Sequence, residues 1–128
     1  MKTLLFISAV VFSINFCNAQ SNYDLTGKKF EQIDEIPNSS TFLYFKSNTE
    51  AVYTMTGSLM SGKTFRDECS CKTSVQGNKI SINCICDDRE IYPDPIKDSF
   101  VYDAASGSLK STTYSDRNRN PFIWKSKN

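Results

Sequence analysis

Polar and apolar residues alternate along the stretch that begins at Cys69 and ends at Cys86, and Gly77-Asn78 interrupts the alternation once. Alternation with a period of two is typical of a strand with one buried face, and a Gly-Asn pair between two such runs is a strong hairpin signal. Counting outward from this turn pairs Cys71 with Cys84 and Cys69 with Cys86. The stretch therefore predicts an antiparallel hairpin whose cysteines share the apolar face.

The two cysteine pairs of this hairpin predict two disulfides, Cys69–Cys86 and Cys71–Cys84. Counted from a two-residue turn, both pairs fall on non-hydrogen-bonded sites, where facing Cα atoms are close enough for an S–S bond. Four thiolates on one hairpin face also suit zinc or copper(I), and a redox-active pair is a third interpretation. An oxidising compartment favours the disulfides.

A second hairpin is predicted where two apolar runs flank Ser47-Asn48-Thr49-Glu50. A turn centred on Asn48-Thr49 pairs Phe45 with Val52. Both faces of this hairpin are apolar, which is typical of strands covered on both sides or of a face that is kept for a partner. The inward face is expected to hold Leu43, Phe45, Val52 and Thr54. The outward face is expected to hold a cross-strand cluster formed by Phe42, Tyr44, Tyr53 and Met55. Two interpretations are open: the cluster is a surface patch for a protein partner, or residues 57–63 or the amino-terminal tail fold over it and bury it.

The remaining apolar runs predict further short strands at 27–33, 99–102, 108–114 and 122–125, and no amphipathic helix of useful length. Short strands separated by turns at intervals of roughly 8–12 residues are typical of a barrel or a sandwich. We therefore predict an all-β fold, a small antiparallel up-and-down barrel of about eight strands. The alternative is a two-sheet β-sandwich. The candidate core or ligand-lining residues are Leu43, Phe45, Val52, Phe100, Tyr102, Phe122 and Trp124.

The chain resembles the small secreted lipocalin-like domains of bacteria over most of residues 20–128. The resemblance rests on residues 25–30 (LTGKKF), 42–47 (FLYFKS), 75–82 (VQGNKISI) and 99–109, and on an aromatic last strand. It implies an up-and-down barrel with a binding role and no catalytic residue. Phe30 stands near the place where family members carry a tryptophan, and the four cysteines are an addition to the family pattern.

The beginning of the chain has the layout of a secretory signal peptide. A basic start is followed by the apolar run Leu4 to Ile14, too short for a membrane span, and by Cys17-Asn18-Ala19. We expect cleavage after Ala19, a single domain at 20–128, and a secreted or periplasmic location. Cleavage would remove Lys2 and one of the five cysteines, which leaves a net charge of zero and an even number of cysteines.

The composition of the chain favours a binding function over catalysis. The chain has no histidine, which removes the commonest general base and the usual catalytic zinc ligand. A neutral chain without a basic run argues against nucleic acid or an anionic membrane as the main partner. No enzyme activity and no cofactor or metal are therefore predicted.

Two charged clusters are more typical of solvated surface than of binding sites. Extracellular calcium binds oxygen ligands, but the acidic residues of 87–98 lack calcium-loop spacing. They are Asp87, Asp88, Glu90, Asp94 and Asp98. The basic residues near the carboxyl terminus are Arg117, Arg119, Lys125 and Lys127.

Two hypotheses about function follow. The first is a lipocalin-like carrier that holds one small apolar ligand in the barrel mouth. The second is a secreted interaction or inhibitor module that acts through a surface patch and has no ligand cavity. An open mouth favours the first and a filled barrel the second.

Overall fold

The computed structural model describes residues 22–33, 38–115 and 118–127, so the predicted leader lies outside the described residues. Within these residues the chain forms a closed barrel in which each strand pairs with its neighbours in sequence, and β1 pairs with β8. This closure confirms the predicted all-β barrel and excludes the two-sheet sandwich. The strands are β1 (Lys29–Gln32), β2 (Ser39–Phe45), β3 (Glu50–Ser58), β4 (Thr64–Gln76), β5 (Lys79–Cys86), β6 (Ile96–Asp103), β7 (Ser108–Ser115) and β8 (Pro121–Ser126).

The cysteine hairpin, β4–β5, has the register that its sequence predicts. Gln76 pairs with Lys79, and each further pair follows without a shift. Gly77 has a φ of 61°, which a two-residue hairpin turn requires at its first position. Both predicted disulfides are present, with Cα–Cα distances of 3.8 Å for Cys69–Cys86 and 3.9 Å for Cys71–Cys84.

The β2–β3 hairpin differs from its prediction by one residue. Tyr44 pairs with Val52, and Phe45 pairs with Ala51. The loop closes on Glu50 instead of on a two-residue turn, because the backbone N–H groups of Lys46 and Ser47 both donate to the Glu50 carbonyl, at 2.9 and 3.2 Å.

This shift corrects the predicted faces of β3, because a slip of one residue turns every side chain of a strand to the other face. Val52 and Thr54, predicted to point inward, share the outward face of the barrel, although Thr54 is buried there at 8% exposed. Tyr53 and Met55, predicted to form an outward patch, point inward and pack against the core. The predicted faces of β2 are correct, since Leu43 and Phe45 are fully buried and Tyr44 is exposed.

One hydrophobic core lies inside the barrel. It contains all four bridged cysteines together with aromatic and branched side chains from every strand except β3, which contributes Ala51. Burial alternates strictly along β5, and Ile85 is the one apolar residue at an exposed position of this strand. The largest fully buried side chains are Trp124, Phe30, Phe45 and Phe100.

The described part of the chain contains no helix long and apolar enough to cross a membrane.

Candidate functional site

The two ends of the barrel are built differently, and one of them is closed by the chain itself. The segment that precedes β1 crosses the end where the β2–β3, β4–β5 and β6–β7 turns lie. The Leu25 N–H donates to Asn48 Oδ1 at 2.8 Å, and the Gly77 N–H donates to Asn22 Oδ1 at 2.7 Å. Leu25 is fully buried, and the Tyr23 ring meets the Tyr102 ring at 5.2 Å. This segment, residues 22–28, therefore closes one end of the barrel, and we call it the plug.

Three aromatic rings cross the middle of the barrel. The Trp124 ring lies 5.8 Å from the Tyr53 ring and 5.8 Å from the Phe100 ring, measured between centroids. Because Tyr53 is on β3, Trp124 on β8 and Phe100 on β6, the rings span the interior from one wall to the other. We call these three residues the aromatic floor. It lies between the plugged half and the opposite end of the barrel, which we call the open end because the inward side chains there are only half-buried.

The aromatic floor carries a polar atom without a partner. The Trp124 side chain is 1% exposed, and its Nε1–H has no hydrogen-bond acceptor among the described residues. Buried indole N–H groups usually find an acceptor, since leaving a buried donor unpaired costs about 1–3 kcal/mol. The floor thus offers one unpaired hydrogen-bond donor beside the apolar surface of the rings.

A buried carboxylate lies on β6, two residues from Phe100 on the same inward face. Asp98 Oδ1 accepts hydrogen bonds from the Ser111 hydroxyl at 2.9 Å and from the Ser99 N–H at 2.7 Å. Burial raises the pKa of Asp98 above its ordinary value, and the hydrogen bonds from Ser111, Ser99 and Thr113 oppose that rise.

The Asp98–Ser111 pair also supports the wall of the barrel. The β6–β7 ladder extends no further than Phe100 and Ser111, and the β7–β8 register shifts between Lys110 and Ser115. Beyond the ladder, the Ser111 hydroxyl accepts from the Thr113 and Tyr114 N–H groups at 3.3 and 3.0 Å. Side chains here replace the missing ladder bonds, which keeps β6 and β7 together towards the open end.

Toward the open end the inward side chains are only half-buried. They include Met55 on β3, Phe65 on β4 and Phe122 on β8, and we call these three residues the rim. The Phe65 ring covers the backbone of Gly57, where an added Cβ would lie 2.7 Å from two ring carbons. Gly57 is therefore the residue that lets this ring lie against β3. The rim gives the open end apolar walls around the floor.

Tyr92, in the β5–β6 connection, packs against the core cluster. Burial raises the pKa of its hydroxyl, with smaller contributions from the nearby carboxylates of Asp67 and Asp88. Asp88 stabilises the same connection, because its Oδ1 accepts hydrogen bonds from the Glu90 and Ile91 N–H groups, both at 3.1 Å. The open end thus combines apolar walls with the phenol of Tyr92 and the carboxylates of Asp67, Asp88 and Asp98.

The predicted lining residues occupy three different places. Leu43, Phe45 and Tyr102 lie in the core, and Tyr102 contacts the plug. Phe100 and Trp124 belong to the aromatic floor, and Phe122 belongs to the rim. Val52 points outward and lines no part of the interior.

Asp98 was interpreted from sequence as part of a solvated acidic loop, and this is wrong because Asp98 is 7% exposed. The signal that could have found it is the alternation of Asp98, Phe100 and Tyr102, which puts the carboxylate on the face of two aromatic residues. The other acidic residues of that cluster do lie in or beside the β5–β6 connection. Tyr53 and Met55 were missed as interior residues because of the shifted hairpin.

The metal interpretation of the cysteines is wrong, since all four are joined in pairs. Among the described residues, no group of three or more His, Cys, Asp or Glu side chains is arranged to hold a metal ion. Among the basic residues near the carboxyl terminus, Lys127 Nζ forms an ion pair with Glu31 Oε2 at 2.8 Å.

No protein-family model matches this chain, and the comparisons find neither a curated protein nor a solved structure that is similar to it.

Proposed function

We propose that this chain is a secreted, non-enzymatic, lipocalin-like binding protein that holds one small, mainly apolar ligand at the open end of its barrel. The observation that carries the proposal is the buried Trp124 Nε1–H, which has no acceptor among the described residues. Ligand sites in proteins are concave and mostly apolar, with a few polar groups that orient the ligand. The rim, the aromatic floor and the indole N–H have this composition.

The size and shape of the ligand follow from the floor. The plugged half is filled by core side chains, so a ligand that runs the length of the barrel is excluded. A small molecule that moves the half-buried rim side chains aside can reach the Tyr53 and Trp124 rings, and one hydrogen-bond acceptor on it would then satisfy the indole N–H. We therefore expect an apolar body with an acceptor such as a carbonyl or ether oxygen.

The experiment uses the fact that Trp124 is the only tryptophan of the chain. N-phenyl-1-naphthylamine, a neutral apolar fluorophore, serves as the probe. Binding at the open end should quench the Trp124 emission by energy transfer and enhance the emission of the probe. Unchanged emission of both, with the protein folded by circular dichroism, would contradict the proposal.

Two variants test whether the probe binds at the open end. Met55→Glu puts a charge on the rim and should weaken probe binding about tenfold or more, because the probe would then be in contact with an ionised group. Ser58→Glu puts the same charge on the same strand at an exposed position and is the matched control. Equal weakening by both variants would place the probe elsewhere.

A further inference from the structure

The outward face of β4, β5, β6 and β7 carries four exposed lysines in two rows. The register joins Lys79 to Lys110 through Val101, and it joins Lys72 to Lys97 through Asn83. With strands about 4.8 Å apart, the two lysines of each row are about 10 Å apart at their backbones, and the rows are about 13 Å from each other. We call this surface the lysine face.

No acidic side chain points outward between the rows of the lysine face, because Asp98, which borders one of the grooves, is buried on the inward face of β6. The outward positions 79, 81, 83, 97, 99, 101, 110 and 112 are basic, amide, hydroxyl or aliphatic residues. Among the described residues, Lys79, Lys97 and Lys110 form no ion pair, and Lys72 reaches only Glu50 of the neighbouring strand, at 3.7 Å. The net charge of the chain is close to zero, so this local excess of positive charge is a property of one face.

Unpartnered hydroxyl groups lie between the lysine rows. Ser74, Ser81 and Ser99 follow one another across β4, β5 and β6, and their hydroxyls have no hydrogen-bond partner among the described residues. Thr112 continues the row on β7, where its hydroxyl donates to the Ser99 carbonyl at 3.1 Å. Two shallow grooves of about 390 and 470 Å³ run on either side of this row. Both grooves are therefore lined by groups that can donate and accept hydrogen bonds.

The residue types on the lysine face indicate which class of ligand it can bind. Lysine and serine are depleted in protein interfaces, whose centres contain aromatic residues, methionine and arginine. Single-stranded nucleic acids need aromatic side chains for stacking. The rows described above contain no aromatic residue and no arginine. A polymer rich in hydroxyl groups, with carboxylate or sulfate groups at intervals, complements both the serines and the lysines.

We propose that the lysine face binds a linear acidic polysaccharide, with its anionic groups on the lysine rows and its sugar hydroxyls on the serine row. The spacing of about 10 Å within a row is of the order of one disaccharide repeat. This site is on the outer surface of the barrel, so it is independent of the ligand proposed for the open end.

The experiment measures binding of four polymers to the whole mature protein: dextran sulfate, polygalacturonate, uncharged dextran and poly-L-glutamate. Dextran sulfate and polygalacturonate should bind, and their affinity should fall as salt is raised, because bound cations are released from the polymer. Dextran should not bind, since it lacks the charge. Poly-L-glutamate binding as tight as that of polygalacturonate would overturn the proposal, because charge alone would then explain it.

Two sets of variants locate the site. The triple variant Lys79→Gln, Lys97→Gln and Lys110→Gln should weaken polygalacturonate binding about tenfold or more. The control triple variant Lys28→Gln, Lys29→Gln and Lys63→Gln removes the same charge outside the lysine face and should have less than about a twofold effect. Equal weakening by both would overturn the proposal.

A separate double variant tests the serine row, which is formed by Ser74, Ser81 and Ser99. Ser81→Ala with Ser99→Ala keeps every charge and should weaken the sugar polymers about threefold while leaving the residual binding of poly-L-glutamate unchanged. Ser70→Ala, an outward serine outside the row, is the control. An unchanged affinity for polygalacturonate in the double variant would overturn the assigned role of the hydroxyls. Thermal unfolding of each variant reports that the barrel is intact.

Discussion

Tyr44 and Tyr53 are neighbours on the β2–β3 hairpin, yet they face opposite sides of the barrel wall. Tyr44 is 40% exposed on the outside, whereas the Tyr53 ring contacts Trp124 in the aromatic floor. Tyr53→Ala should lower the free energy of unfolding by about 2 kcal/mol or more, because it empties part of the floor. Tyr44→Ala should cost less than about 1 kcal/mol. Urea unfolding of both variants checks this, and equal costs would contradict the shifted register.

Asp98 should make stability depend on pH. Its pKa is raised in the folded protein above the ordinary 3.8, so the folded chain binds this proton more readily than the unfolded chain. The contribution of Asp98 to stability is therefore largest at low pH and falls as pH rises from 3.8 through the raised folded value. Asp98→Asn should remove this fall while keeping an acceptor for Ser111.

The measurement for Asp98 is the difference in unfolding free energy between the wild-type protein and Asp98→Asn across that pH range. The difference should fall with rising pH. A difference that does not change with pH would mean that the Asp98 carboxyl has the same pKa in the folded and the unfolded chain. Ser111→Ala is a second probe, because losing its hydrogen bond to the charged form should extend the fall to higher pH.

The two strands of the cysteine hairpin are joined twice, so their disulfides should not contribute additively. Cys71–Cys84 closes a loop with a sequence separation of 13, worth about 3 kcal/mol in the chain-entropy model. With either bridge present, the other closes only a small further ring. Replacing one pair by alanine should therefore cost much less entropy than replacing both. Denaturant unfolding of the two single-pair variants and of the variant lacking both pairs measures the non-additivity, and additive losses would contradict it.

The same two hairpins show why one element was predictable and the other was not. In β4–β5, Gly77-Asn78 is a single two-residue turn signal, Gly77 takes the positive φ of 61° that the turn requires, and burial alternates on both sides of it. In the β2–β3 loop, several polar residues suit a turn and both faces are apolar, so neither signal determines the register. Hydrogen bonds from Lys46 and Ser47 to Glu50 decide it in the folded chain.

At the scale of the whole molecule, the barrel depends on the plug. Leu25 is fully buried, and its N–H is held by Asn48, whose Nδ2 also donates to the Tyr23 carbonyl at 2.8 Å. Leu25→Ala should destabilise the protein by about 3 kcal/mol through the cavity it leaves. Asn48→Ala should cost about 1–3 kcal/mol, since it removes hydrogen bonds from both ends of the amide. Thermal unfolding compares them with Thr26→Ala, an exposed neighbour, and an equally small loss in all three would mean that the plug does not support the barrel.

Local sequence by itself determined the strand-rich class, the β4–β5 register and both disulfides, because a two-residue turn and a period of two leave one way to pair those strands. Tertiary structure decided what lies around the open end. The inward position of Tyr53, the burial of Asp98 and the meeting of Trp124 with two other rings depend on contacts between strands distant in sequence. The lysine face has the same origin, since lysines and serines scattered over four strands become neighbours only when the barrel aligns them. Alternation shows which side chains share a face of one strand, but the closure of the sheet determines which strands face one another.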